Sequence, residues 1–330
     1  MQFMYNYIQL IRLPNLVFLA VIQLIMSQVV ILPILQTFGF ESSGNYTNLI
    51  LLIIATVLTA AGGYVLNDYF DVKIDAINKP SKQIVGKAVS RRSTMIFYQA
   101  LTITGVVSGL FLSYLTRNFT LAFIFVVTPG LLWFYSSNYK RQFLIGNLVV
   151  AFVSALSILI VGMMELAVLE KMYGSRLFET NIPRSVYAWI SGFAIFAFLC
   201  TWIREITKDM EDEQGDREME CRTMPIKWGS SRTKLFLYLL IAVTVVGLLY
   251  ANSIISFNGS LTIRYTLFGI VLPLCALAYL IFKAKTPRDY HQASTLSKVI
   301  MVVGVLYGFI FYFLMAQTFG IKMFGLFLVE

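Results

Sequence analysis

Nine stretches of 18–23 predominantly apolar residues constrain this chain more than any other feature: 13–35, 49–67, 94–115, 119–136, 143–165, 186–204, 235–254, 264–283 and 298–318. A helix of about 20 residues spans the roughly 30 Å hydrocarbon core of a bilayer. With no water there, a spanning segment must satisfy its own backbone polar groups, which for long apolar runs means helix. The reading is an all-α polytopic membrane protein, a bundle of about nine transmembrane helices. No polar segment is long enough to fold separately, so residues 1–330 are expected to form one domain. Only 13% of residues are charged, against about 25% in an average soluble domain. The first run exceeds a signal-peptide core and is followed by no small-residue cleavage pattern, so it is read as a retained helix.

Lysine and arginine orient the bundle. If the N-terminus faces the cytoplasm, 20 of the 26 basic residues fall in cytoplasmic segments, as the positive-inside rule requires. The expected location is the inner (cell) membrane, with the N-terminus and the polar loops on the cytoplasmic side. The net charge of +9 follows from this bias, and no nucleic-acid partner is inferred. Cys200, Cys221 and Cys275 have no metal-type spacing and are read as free thiols. With His291 alone, neither a His-based metal site nor a Ser/His/Asp triad can be built.

Two acidic motifs stand at the same expected face. Asp68, Asp71 and Asp75 follow the second run, and Asp209, Asp212 and Asp216 follow the sixth. Both sets are spaced i, i+3, i+7, which on a continuous helix places all three carboxylates on one side. Each lies near the negative pole of its helix, an unfavourable place for anions unless something positive is held there. Two opposed carboxylate faces make an all-oxygen site suited to magnesium, particularly a magnesium that bridges to substrate phosphates. Among the basic residues of this face, Lys140, Arg204 and Lys208 are singled out as anion contacts. The others are explained by headgroup anchoring.

Metals and cations beside an apolar bundle suit a diphosphate on a lipid tail. Ionising an allylic diphosphate concentrates charge on the leaving group, where metal and cations act most strongly. The allylic cation left behind needs aromatic faces and no water. Tyr64, Tyr69, Trp133, Phe134 and Tyr135 are the candidates. A secondary transporter would instead carry key charges near the bilayer midplane, where these runs hold almost none. A non-catalytic scaffold with metal-binding loops is the other rival.

At these residues the chain resembles the UbiA family of intramembrane prenyltransferases. Asn67-Asp68-Tyr69-Phe70-Asp71-Val72-Lys73-Ile74-Asp75 matches the family's N-D-x-x-D-x-x-x-D motif. Asp209 to Asp216, preceded by Arg204-Glu205 and Lys208, matches the second motif. Arg12-Leu13-Pro14-Asn15 resembles the N-terminal R-P-x-N region. The loop from Asn78 to Lys87 resembles the stretch after the first motif, with Lys82-Gln83 in place of Arg-Pro. Many members carry a tyrosine four residues before a lysine, whereas Tyr135 lies five before Lys140.

The resemblance implies magnesium-dependent prenyl transfer from a polyprenyl diphosphate. Asp68, Asp71, Asp75, Asp209, Asp212 and Asp216 would hold the metals. Asn67, Lys82, Lys140, Arg204 and Lys208 would contact the diphosphate, and Asn15 would help place it or the acceptor. Stretches such as Lys140-Arg141-Gln142-Phe143-Leu144-Ile145-Gly146-Asn147 resemble the branch that transfers a geranylgeranyl group to the glycerol hydroxyl of geranylgeranylglyceryl phosphate. The alternative acceptor is an aromatic quinone precursor of hydroxybenzoate or dihydroxynaphthoate type. His291, a carboxylate of either motif and the released diphosphate all stay open as the general base.

Overall fold

The structure, a computed structural model, describes residues 2–40, 46–78, 83–254 and 260–328. Among them nine helices are long and apolar enough to cross a membrane, and they coincide with the nine runs. The chain opens with a short helix α1 (Gln2–Leu10). The spans are α2 (Leu13–Thr37), α3 (Tyr46–Phe70), α5 (Arg91–Thr116) and α6 (Phe119–Ser137). They continue with α7 (Ile145–Tyr173) and α8 (Ile182–Glu211). The last three are α10 (Met224–Ile254), α11 (Ser260–Lys283) and α12 (Pro287–Phe319). Two short helices, α4 (Val72–Asn78) and α9 (Glu213–Glu218), follow α3 and α8.

The helices pack as one bundle. α3 packs on α2, α5 and α6; α7 bridges to α8; and α12 lies against α8, α11 and α2. Hydrophobicity does not draw helices together in lipid, so close packing must do so. Small residues permit it. A Cβ on Gly62 would fall 2.5 Å from Thr102 Oγ1, and one on Gly109 would fall 2.2 Å from Phe125 Cγ. α2 and α11 contain wide π turns, Met26–Ile31 and Tyr265–Val271. Each is followed within two residues by a proline, which cannot donate into the α ladder.

The helices outrun the apolar stretches. α12 begins at Pro287, eleven residues before its run, behind a capping box in which Thr286 and Asp289 bond each other's backbone N–H groups. Hydropathy detects the part of a helix within hydrocarbon, and the polar residues 287–297 continue the helix beyond it. α8 likewise continues to Glu211 and carries the start of the second acidic motif past its run. α10 is interrupted at Gly229, whose φ of 76° interrupts its first turns.

Candidate active site at one end of the bundle

Alternating spans bring the C-terminal ends of α3, α6 and α8 to one end of the bundle. Neither acidic motif is the continuous helix its spacing predicts. α3 stops at Phe70 and α4 starts at Val72, leaving Asp71 at the joint. α8 stops at Glu211 and α9 starts at Glu213, leaving Asp212 at the equivalent joint. Four-residue backbone bonds run up to each joint and start again from it: Asp71 N to Asn67 O (2.9 Å) and Asp75 N to Asp71 O (2.8 Å), then Asp212 N to Lys208 O (2.9 Å) and Asp216 N to Asp212 O (3.2 Å). Each middle aspartate therefore closes one helix and opens the next.

Each motif meets a cation or an amide from another element. Arg12 Nη2 lies 2.7 Å from Asp68 Oδ1, and the same guanidinium stands 5.1 Å over the Tyr64 ring. Arg12 has φ 53°, ψ 53°, an uncommon left-handed conformation for a non-glycine residue. Lys140 pairs with buried Asp71 and approaches Asn67 Oδ1 at 3.4 Å. Asn67 Nδ2 donates to Asp71 Oδ2 at 2.7 Å. Burial lowers the Lys140 pKa, but Asp71, Tyr135 and Asp75 outweigh it, and the net direction is up. Across the site, Asn147 Nδ2 donates to Asp209 Oδ2 at 2.9 Å. Asp216 is buried.

Glu205 is a third acidic centre. It is buried, with Arg204 Nη1 at 2.5 Å and Lys208 Nζ at 3.4 Å. Arg204 and Lys208 thus stand beside the second motif with a carboxylate between them. Spacing did not single out Glu205, Asn147 or the Arg12 ion pair, because all three matter through cross-helix contacts. The signal present in the chain was Glu205 itself, an acid at the end of an apolar run.

Asn15 lies beside the Tyr64 hydroxyl, and the charged neighbours of Tyr135 are Lys140, Glu205, Asp71 and Asp209. These two tyrosines face the site. Trp133 and Phe134 are exposed, at 38% and 56%, and Tyr69 lies beneath Arg91 at 4.7 Å. Helical pitch turns residues 134 and 135 about 100° apart, so the aromatic run divides between the outer surface and the site. His291 is 62% exposed in its side chain and pairs with Glu211 at 2.9 Å, on the rim. Lys82 lies outside the described residues.

Cys221, just after the second motif, has Asp216, Arg141, Lys140 and Asp71 among its charged neighbours. Burial and then Asp216 push its thiol up to about 11, which leaves it unreactive. Among the described residues, no three His, Cys, Asp or Glu side chains converge closely enough to enclose a metal ion alone. Magnesium rarely needs such a cage: one or two carboxylates plus substrate phosphates and waters suffice. The all-oxygen donor set fits a substrate-bridged magnesium and does not fit a closed protein site.

Residues 30–301 match the sequence model of the UbiA prenyltransferase family. Digeranylgeranylglyceryl phosphate synthase of Sulfurisphaera tokodaii is 33% identical over 258 residues, covering 77% of this chain and 84% of that protein. A solved structure of digeranylgeranylglyceryl phosphate synthase in membranes superposes with a TM-score of 0.62 at 22% identity, covering 94% of this chain and 99% of the other. A UbiA homologue from Archaeoglobus fulgidus, solved with DMAPP and Mg2+, gives 0.55 at 13% identity over 92% and 99%. At these identities the structural likenesses establish the fold.

Proposed function

Because the chain belongs to the UbiA family of intramembrane prenyltransferases, we propose that it moves a geranylgeranyl group from geranylgeranyl diphosphate to the glycerol hydroxyl of geranylgeranylglyceryl phosphate. The likeness to the digeranylgeranylglyceryl phosphate synthase of Sulfurisphaera tokodaii supports this choice of acceptor. The observation that carries the reaction class is the meeting of two aspartate motifs with Arg12, Lys140, Arg204 and Lys208 at one end of an apolar bundle. In the reaction the bond between prenyl C1 and the diphosphate oxygen breaks, a bond from C1 to the glycerol oxygen forms, and the hydroxyl proton is released.

Asp68, Asp71 and Asp75 on one side and Asp209, Asp212 and Asp216 on the other would hold magnesium. Bound there, magnesium supplies Lewis-acid stabilisation of the departing diphosphate. Asn67, Lys140, Arg204 and Lys208 would bind the diphosphate oxygens, with Asn15 and Lys82 as further contacts. Lys140 is well placed because Asp71 and Asn67 already orient its ammonium at the joint of the first motif. Tyr64 and Tyr135 offer ring faces to a developing allylic cation and help keep water away. The surrounding helices hold the tail in an apolar environment. The site end faces the cytoplasm, with the N-terminus on that side, on the strength of the basic-residue bias. The host membrane is the cell membrane.

The test presents purified protein in nanodiscs, with magnesium and labelled geranylgeranyl diphosphate, with two acceptors separately: geranylgeranylglyceryl phosphate and a hydroxybenzoate or dihydroxynaphthoate. Transfer to the ether lipid alone is expected. Transfer to the aromatic alone would keep the site chemistry and overturn the acceptor. Transfer to neither, with donor binding indifferent to EDTA, would overturn the metal–diphosphate reading.

A further inference from the structure

The short helices that carry the last aspartates of the two motifs, α4 and α9, are tied by the side chain of Asn78. Asn78, the last residue of α4, donates from Nδ2 to the Asp212 carbonyl oxygen (3.3 Å) and accepts at Oδ1 from the Gly215 N–H (3.0 Å). A side-chain amide offers donor and acceptor on one rigid plane, so it can bond two backbone groups at once as another peptide would. Both anchors lie within the second motif. Asp212 is its middle aspartate, and Gly215 immediately precedes Asp216. On the other side, Asn78 is three residues from Asp75, one helical turn from the end of the first motif.

Gly215 is fitted to this contact. A Cβ there would stand 2.3 Å from Asn78 Oδ1 and 2.5 Å from its Cγ. Gly215 does not have a positive φ, so its lack of a side chain answers to space and not to backbone freedom. A second tie, from Arg222 N–H to the Arg141 carbonyl (2.8 Å), holds the end of the second motif to the turn that carries Lys140. Lys140 in turn pairs with Asp71. The three loops form a closed circuit, and Asn78 is its link between the motifs.

We propose that Asn78, seated against Gly215, is a positioning residue that sets the separation of the two aspartate motifs and thereby the affinity of the site for divalent metal. This rests on the metal reading given above. Asn78 acts through Asp75, Asp212 and Asp216 and has no contact of its own with substrate.

The experiment is Mn2+ titration of the full chain in detergent, read by loss of the free-ion paramagnetic signal, with a thiolo analogue of geranylgeranyl diphosphate present. Asn78→Ala and Gly215→Ala should each weaken Mn2+ binding about tenfold, the effect of losing one or two hydrogen bonds. At saturating metal the donor KM should stay within about twofold. Gly215→Ala placed in the Asn78→Ala background should add little, because the truncation removes the group its Cβ would strike. If Asn78→Ala does not accumulate folded, Asn78→Ser carries the same prediction. Wild-type metal affinity in the single variants, or full additivity in the double, would overturn the role of Asn78 alone. No metal binding by the wild-type protein would overturn the metal reading, and this inference with it.

Discussion

Lys140 forms an ion pair with Asp71 across 69 residues of sequence, joining the turn after α6 to the joint between α3 and α4. The pair unites two expectations that the sequence supports separately: a metal-binding aspartate and a diphosphate-binding lysine. Asp71 is buried, and Asn67 serves both partners, donating to Asp71 and accepting from Lys140. Substrate oxygens that recruit Lys140 would do so beside the first motif, where the leaving group's charge develops.

Replacing Lys140 by alanine should raise the donor KM by about 30-fold or more, since truncating one member of a hydrogen-bonded charge pair costs about 2 kcal/mol or more. Lys140→Arg should recover only part of the loss, since a planar fork does not reproduce a point charge. Steady-state kinetics over donor concentration provide the check. An unchanged KM in Lys140→Ala would assign the residue to membrane orientation.

The pKa of Lys140 lies above the ordinary lysine range. A raised pKa in the folded state contributes stability that is fully present below the unfolded value, about 10 for lysine. It is lost only as pH rises through the folded value. Donor affinity should therefore show no titration assignable to Lys140 between pH 6 and 9. A pH profile in Lys140→Arg parallel to that of the wild type would agree.

Asp212→Asn should lower kcat by about 10²-fold or more with the thermal transition little changed, and Asp68→Asn should lower kcat as much while also unpairing Arg12. Each removes a charged metal ligand and keeps the shape of the side chain. Asp71→Asn should show the same kinetic loss and a lower transition temperature, because it also leaves half-buried Lys140 without its counter-ion. Turnover at the wild-type rate in all three would remove these aspartates from the mechanism.

Gly109→Ala should destabilise the bundle by about 1–3 kcal/mol, the usual cost of overpacking, because its Cβ would strike Phe125. Gly109 lies about 27 Å along α5 from Arg91 at the site end, at 1.5 Å per residue. Thermal unfolding in detergent should shift by several degrees while kcat of the folded fraction stays at the wild-type value.

Glu165 is a buried acid deep within α7, and the Ser27 hydroxyl donates to it at 2.6 Å. Glu165→Gln keeps an acceptor for that hydroxyl and should leave prenyl transfer within about twofold. Loss of activity in this variant, measured with saturating donor, would give the interior acid a part in the chemistry.

Which residues enter the membrane was determined by the sequence alone. Apolar runs of bilayer length leave the backbone no solution but helix, and among the described residues the nine runs became nine helices long and apolar enough to span. The paired aspartate spacings were also legible, because three carboxylates at i, i+3, i+7 in each of two places form a local pattern. Local patterns cannot show where a helix breaks or which cation faces which acid. Asp71 and Asp212 stand at joints, not on unbroken faces. Tyr135 faces the site while Phe134 faces outward, and Glu205, Asn147 and Asn78 acquire their roles from helices remote in sequence. These arrangements depend on how α3, α6, α7 and α8 meet at one end of the bundle, which shape and hydrogen-bond pairing decide. In lipid, hydrophobicity selects the helices but not their neighbours. The choice of neighbours, and with it the site, belongs to the tertiary structure.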